Sequence, residues 1–491
     1  MAKRSGALDR GSVGTWGMSF FTITASAPMT VLAGSVVATY AVTGVRGVPL
    51  SFLVLMLALF PFTVGYTAMS RYVSHAGPFY AYIARGLGRT MGVAGGLLAL
   101  LAYNSIQICL YGLLGVSLVA FLPAAGLTWW GWALIAWAII AILGLLHIQI
   151  NAKVLAVTLG LEVFMVVLFD LAGFANPAGG HVNLTGLAPT SLFTAGIGGV
   201  FAFGIAAFVG YETGMAYGEE ARGTRPVSRA TFTALIFLGC LYAFSSLALS
   251  VTEGPSGVID ASRDPDSGIP FSVIAASYGS PVATFANLLL ITSIMGAMLS
   301  FHNTAARYTF ALARERVLPA AVGSIGRGST AGSPVGGSIM QSVIALVTFG
   351  AFAFAGADPI TTLFTWGSAV AALAIVLLMV CTSLAVIGFF RKDFEAARIE
   401  TYWRRTGAPL LGTVTLGAVL LITTYNIQSL LGTDSLLLTI AIPGIVVLTA
   451  LAGIVWGATL RSTNPAVYRF IGVGELQPLA KPTPAFENIE L

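Results

Sequence analysis

The stretch FVGYETGMAYGEEARGTRP, from Phe208 to Pro226, decides the fold of this chain. An apolar run begins near Ser191 and leads into it, and the two together are long enough to cross a bilayer. Inside lie Gly204, Gly210 and Gly214, with one isolated acid, Glu212. Glycine weakens a helix, and a carboxylate in hydrocarbon costs about 2.5–3.5 kcal/mol on insertion scales unless it faces protein or water. A kinked packing helix with a hydrogen-bonded Glu accommodates these residues. A helix broken around a site at the bilayer midplane explains why both features occur together. The run ends in Glu219, Glu220, Arg222 and Arg225, which read as a charged stop at the water boundary.

Composition points the same way. Of the 491 residues, 57% are hydrophobic and only 9% charged, whereas a soluble domain carries about a quarter charged residues. The expected class is an all-α polytopic membrane protein with about twelve transmembrane helices, because the apolar runs are long and continuous rather than short and alternating. The net charge of +5 carries no nucleic-acid signal, since the basic residues are scattered over short loops. All but Arg46 and Arg263 of the 24 Lys and Arg fall in the N-terminus, the even-numbered loops or the C-terminus, which places both termini in the cytoplasm. The first apolar run follows Lys3, Arg4 and Arg10 and is too long for a cleaved signal, so it is expected to stay as a membrane helix. Cys109, Cys240 and Cys381 lie in apolar runs without metal-ligand spacing, and no disulfide-linked accessory subunit is indicated. His147, His181 and His302 are far apart, and no hydrolase or metalloenzyme motif is present, so neither an enzyme nor a bound metal is expected. No channel filter motif is visible either.

Working outward, the expected organisation is a cytoplasmic tail over 1–15 and five spans over 16–174. Five more follow over 191–390, two over 408–460, and a second cytoplasmic tail over 461–491 that is expected to be largely disordered around Pro478, Pro482 and Pro484. The first span holds Ala25-Ser26-Ala27-Pro28, where proline removes a donor and interrupts the ladder. The segment Arg71 to Arg89 reads as an amphipathic helix on the cytoplasmic face. The third span contains Tyr103, Asn104 and Gln107, the last two sharing a helical face. The fifth carries Glu162 near its middle and Asp170 toward its outer end, the latter expected at the interface. His302 reads as a packing histidine rather than a proton carrier. Spans one and six are both interrupted, and Gly77-Pro78-Phe79 after span two is echoed by Ile269-Pro270-Phe271 after span seven. Interrupted helices at matching positions of two halves point to a midplane substrate site.

On three of these stretches the chain resembles the amino acid–polyamine–organocation (APC) superfamily of secondary transporters, over nearly its whole length. They are AGPFYAYIARGLGR from Ala76, FVGYE followed by GEEARGTRPVSRA, and RYTFALARERVLP from Arg307 to Pro319. The resemblance implies the five-plus-five inverted repeat shared with sodium-coupled neurotransmitter-type (LeuT-like) transporters, with helices one and six broken at the midplane and two helices added. It also implies a site. The N–H groups of Ser26 and Ala27, in the small Ala25-Ser26-Ala27 turn, would meet a substrate carboxylate. Carbonyls around Phe208, Val209 and Gly210 would accept an ammonium, Tyr211 and Glu212 would act as aromatic gate and acid, and Tyr103, Asn104, Phe208 and Phe301 would set side-chain specificity. Proton-coupled relatives often carry a lysine where Glu162 stands. Glu162, with Glu212, is therefore a candidate for proton or ion coupling, and could equally attract an amine or a sodium ion.

What the resemblance implies is movement of a small amino acid by alternating access, coupled to protons or run as an exchange, in the cell membrane. No cofactor is expected beyond a proton or sodium as coupling ion. Two buried acids without a clear buried base keep a polyamine or other small amine open as the substrate. A membrane sensor that binds such a molecule without moving it would keep the same site.

Overall fold

The computed structural model describes residue 8 and residues 14–146, 148–222, 224–327 and 330–474. His147 and Pro478, Pro482 and Pro484 of the expected tail lie outside these, as do Lys3, Arg4 and Arg10. Eleven helices among the described residues are long and apolar enough to cross a membrane. The twelfth expected span is a shorter apolar helix of 17 residues, Trp129–Leu145. The architecture is all-α.

The first span is broken where proline and small residues predicted it. Helix α1 (Thr15–Ala25) stops and Ala27 turns left-handed at φ 43°. The chain resumes at Pro28, runs through a π-helical stretch over Val31–Val36 and ends in α2 (Val37–Thr43). Three spans follow: α3 (Val48–Met69), the long α5 (Arg89–Phe121) and α6 (Trp129–Leu145), with a short helix α4 (Pro78–Gly86) between α3 and α5. Helix α7 (Ile148–Ala175) carries both Glu162 and Asp170.

The second interrupted span has the same logic. Helix α8 (Ile197–Phe208) stops, Val209 is extended and Gly210 adopts φ 116°, a conformation that side-chain-bearing residues rarely take. A 3₁₀ turn over Thr213–Tyr217 completes it. After α9 (Thr224–Glu253), the expected short helix after Ile269-Pro270-Phe271 is α10 (Phe271–Tyr278), followed by α11 (Ser280–Arg314). The remaining spans are α12 (Val335–Phe354), α13 (Thr365–Lys392), α14 (Ala408–Tyr425) and α15 (Leu436–Thr463).

Two expectations are refined. Helix α4 keeps the amphipathic pattern, with Arg85 exposed, but it is sunk further into the protein than a surface helix, since all its other residues are buried. It lies under α5 and α13 and under the turn at 471–474, where Arg85 Nε donates to the Gly472 carbonyl (2.9 Å). The C-terminal region is also ordered further than its composition suggested. A short helix, Pro465–Phe470, continues past α15, and Ile471 is fully packed.

Candidate functional site

The two helix breaks touch. A Cβ at Gly210 would stand 2.9 Å from the Ala25 carbonyl carbon, so only glycine lets the second break close on the first. The 3₁₀ turn then lies along α1, with the Phe21 and Tyr217 rings stacked at 4.7 Å.

Around this contact the structure gathers several of the residues expected to act together. Glu212 is buried, and its carboxylate accepts from the Tyr103 hydroxyl (3.0 Å) and from the Gly210 N–H (3.0 Å). It therefore bridges α5 and the break that it follows. Phe301 stacks on Tyr103 with centroids 6.3 Å apart. Phe208 packs edge-on to Tyr242 of α9, whose hydroxyl donates to the Ser26 carbonyl (2.9 Å). The Tyr211 hydroxyl instead reaches Thr63 on α3 (3.3 Å). Asn104 is only half-buried, and its amide donates to its own helix at Leu100 (2.7 Å).

One expected role changes donors. The N–H groups of Ser26 and Ala27 already donate to the Ile23 and Thr24 carbonyls (3.1 and 3.0 Å), because these residues close the end of α1 rather than start the next half. Pro28 has no N–H, so the donors without a carbonyl one turn behind them are those of Met29 and Thr30. On the sixth span, the Phe208 carbonyl is taken up by the Tyr211 N–H (3.2 Å), which makes the Val209 carbonyl the better placed of the two to accept an ammonium.

Glu162 stands on the other flank of the first break and is fully buried. Neither carboxylate oxygen meets a donor in hydrogen-bond geometry; the Ser293 hydroxyl of α11 and the Met29 N–H act on it at longer range. Thr30 and Ser293 are themselves joined (3.3 Å). Asp170, expected at an interface, is buried too. Its Oδ2 accepts from Ser245 of α9 (3.1 Å), and its Oδ1 has no partner.

The charged stop at Glu219 and Glu220 is the largest departure from expectation. Both acids turn inward onto arginines of α11. Glu220 takes two bonds from Arg307 (2.7 and 2.9 Å), both side chains are buried, and the guanidinium sits 4.2 Å above the Tyr217 ring. Glu219 takes two from Arg314 (2.8 and 2.7 Å) and one from the Ala76 N–H (2.9 Å). Burial alone would push the Glu219 carboxyl up; the Arg314 guanidinium outweighs that and holds it below its ordinary value. Beside them Glu315 accepts from Tyr80, from His75 Nε2 (2.9 Å) and from the Gly472 and Gly474 N–H groups (2.7 Å each). Gly77 donates to His75 Nδ1 (3.0 Å), so the ring proton belongs on Nε2. Burial would raise Glu315, and the bond from His75 leads the donors that bring it below the usual range. These contacts join the three stretches that carried the resemblance.

A second buried polar chain went unnoticed in the sequence. Gln107 bonds Gln341 of α12 and lies 3.4 Å from His302 Nδ1, and His302 Nε2 bonds Ser338 (2.7 Å). His302 is thus satisfied as a packing residue. Cavities of about 260 and 350 Å³ open near Arg71 and Trp403 and near Arg85 and Lys392, and no residue of the two breaks lines them.

A family model described as amino acid permease matches residues 13–458. No curated protein matches the chain.

Proposed function

Because the chain belongs to the amino acid permease family of the APC superfamily and is an integral membrane transporter of amino acids or amines, we propose that it moves a small amino acid by alternating access, coupled to protons. The observation that carries this reading is the contact of the two helix breaks at Ala25 and Gly210, flanked by Glu212 on one side and by Glu162 on the other. A helix start offers N–H groups and positive dipole to a carboxylate, here from Thr30 beside the Met29 N–H that faces Glu162, and the Val209 carbonyl offers negative dipole to an ammonium. Glu162 supplies a buried carboxylate on which only the Ser293 hydroxyl and the Met29 N–H act, neither in full hydrogen-bond geometry, so a change of protonation disturbs little around it, which supports proton coupling over sodium. Both termini in the cytoplasm of a cell, as the charge asymmetry supports, would make the Glu219–Arg314 side the inner one.

One observation favours a small amine instead: the Ser26 and Ala27 N–H groups are spent within α1, and a buried acid stands beside the break. Thermal unfolding of the purified protein with amino acids and with their decarboxylated amines, at two pH values with and without sodium, separates the readings. Stabilisation by amino acids alone supports the first, and by amines alone the second. Uptake into proteoliposomes then distinguishes a transporter from a sensor, and stabilisation that requires sodium overturns proton coupling.

A further inference from the structure

Helices α7 and α9 pack along their length, and their seam is polar. On α7, Glu162 and Asp170 are eight residues apart, about 12 Å along the axis. Both are buried, and three of their four carboxylate oxygens lack a partner. On α9, Tyr242, Ser245, Ser246 and Ser250 recur at the spacing of one helical face, and all four are buried. Ser245 donates to Asp170, while Tyr242 lies within the field of the Glu162 carboxylate and donates to the Ser26 carbonyl at the break. The Tyr40 hydroxyl closes the column by donating to the Ser246 carbonyl (3.1 Å).

A structural acid buried between two membrane helices would have both oxygens satisfied or be replaced by a neutral residue. Asp170 has neither property. It also lies toward the end of α7 opposite the Arg307 and Arg314 pairs: the Tyr278 hydroxyl, just before α11, donates to the Leu168 carbonyl (3.1 Å), and Asn176 reaches Ser277 (3.4 Å). Ala175 ends α7 five residues on, so water is about 8 Å away along the axis.

We propose that Asp170 is the entry acid of a proton path that loads Glu162 along this seam, through Ser245, Tyr242 and bridging water. The inference rests on the proton-coupled reading above. A proton from water at the Ala175 end forms an O–H bond on Asp170. That bond breaks as the proton passes through water and hydroxyl groups to the Glu162 carboxylate, and Asp170, again an anion, takes the next proton. The titratable groups facing the pair are Tyr242 from α9 and Tyr278 from the end of α10. Helix α11 presents Ser293 and the first break its Met29 N–H to Glu162, and among the described residues no cation acts on either acid.

The test uses the proton as its own probe. The full chain in lipid nanodiscs is subjected to a rapid acid jump, and infrared absorption of protonated carboxyl groups is followed in time. The Glu162 band is the one that Glu162→Gln removes. In Asp170→Asn the Glu162 band should rise more slowly, on the order of a hundredfold, the low end of what a positioned acid contributes to a proton transfer. Asp170→Glu should restore the rate. Ser245→Ala, which keeps the acid and loses its donor, should slow it too, and serves if Asp170→Asn does not fold. An unchanged Glu162 rate in Asp170→Asn, or in Ser245→Ala where that variant must serve, overturns the relay alone. If no band removed by Glu162→Gln responds to the jump, proton coupling through Glu162 fails, and the relay fails with it.

Discussion

Two sets of buried carboxylates sit at opposite ends of the polar interior, and they are treated in opposite ways. At the end of α11, Glu219, Glu220 and Glu315 accept from arginines, a histidine, a tyrosine and backbone N–H groups. Along α7, Glu162 meets no donor in hydrogen-bond geometry and Asp170 meets one. Desolvating a charge is costly in both places, so the two sets answer the cost differently. The first set is matched by arginines at Glu219 and Glu220 and by a full shell of N–H and O–H donors at Glu315, and it holds three distant parts of the chain together. The second has no such match, and its acids are available to change protonation state.

The hardest blow to that contrast would come from Arg307. Arg307→Ala removes the guanidinium that meets the buried Glu220 and should cost about 3–5 kcal/mol. Replacing both residues, with Arg307→Met and Glu220→Leu, should recover most of it, as chemical unfolding in detergent would reveal. A single variant as stable as the wild type would erase the distinction. Glu212 stands between the two classes with two donors, so Glu212→Gln should lose about 1–2 kcal/mol, the scale of one charge-assisted bond, and most of the transport. Wild-type flux in that variant removes Glu212 from the mechanism. Glu162→Gln should shift stability by less than about 1 kcal/mol, since no strong partner is lost, while abolishing the pH dependence of flux. A loss of several kcal/mol would move Glu162 into the structural class. The smallest effect concerns Glu315. Its carboxyl is held below its ordinary value in the folded protein, so its contribution is complete above about pH 4.3, where the unfolded carboxyl is ionised, and is lost as pH falls through the folded value. The stability gap between wild type and Glu315→Gln should therefore be constant near neutrality and close on acidification.

The breaks were legible because their causes are local. Pro28 and the small residues before it, and Gly210 beside Glu212, carry the instruction within a few positions. Glu219 and Glu220 were misjudged for the opposite reason. Their partners Arg314 and Arg307 are about a hundred residues away, and a charge cluster at the end of an apolar run looks alike whether it meets water or another helix. The position of Asp170 toward the outer end of its span points to an interface, while Ser245, which covers it, comes from a different helix. The Ser26 and Ala27 N–H groups were assigned to a ligand by analogy with the family turn; the local 3₁₀-like closure of α1 that occupies them depends on backbone angles that the residue names do not specify. Gln107, Gln341 and His302 form a chain across three helices and left no motif.

Glu315 has one more consequence. Its four donors come from two places in the chain, His75 and Tyr80 from one and the Gly472 and Gly474 N–H groups from its final described turn. Any movement of the α11 terminus away from α4 must either pull residues 471–474 with it or strip them from the carboxylate. The last described turn is thereby tethered to the end of α11. A fluorophore placed beyond Gly474 should report any movement of that helix end, and a bulky fusion at the same point should weigh on it.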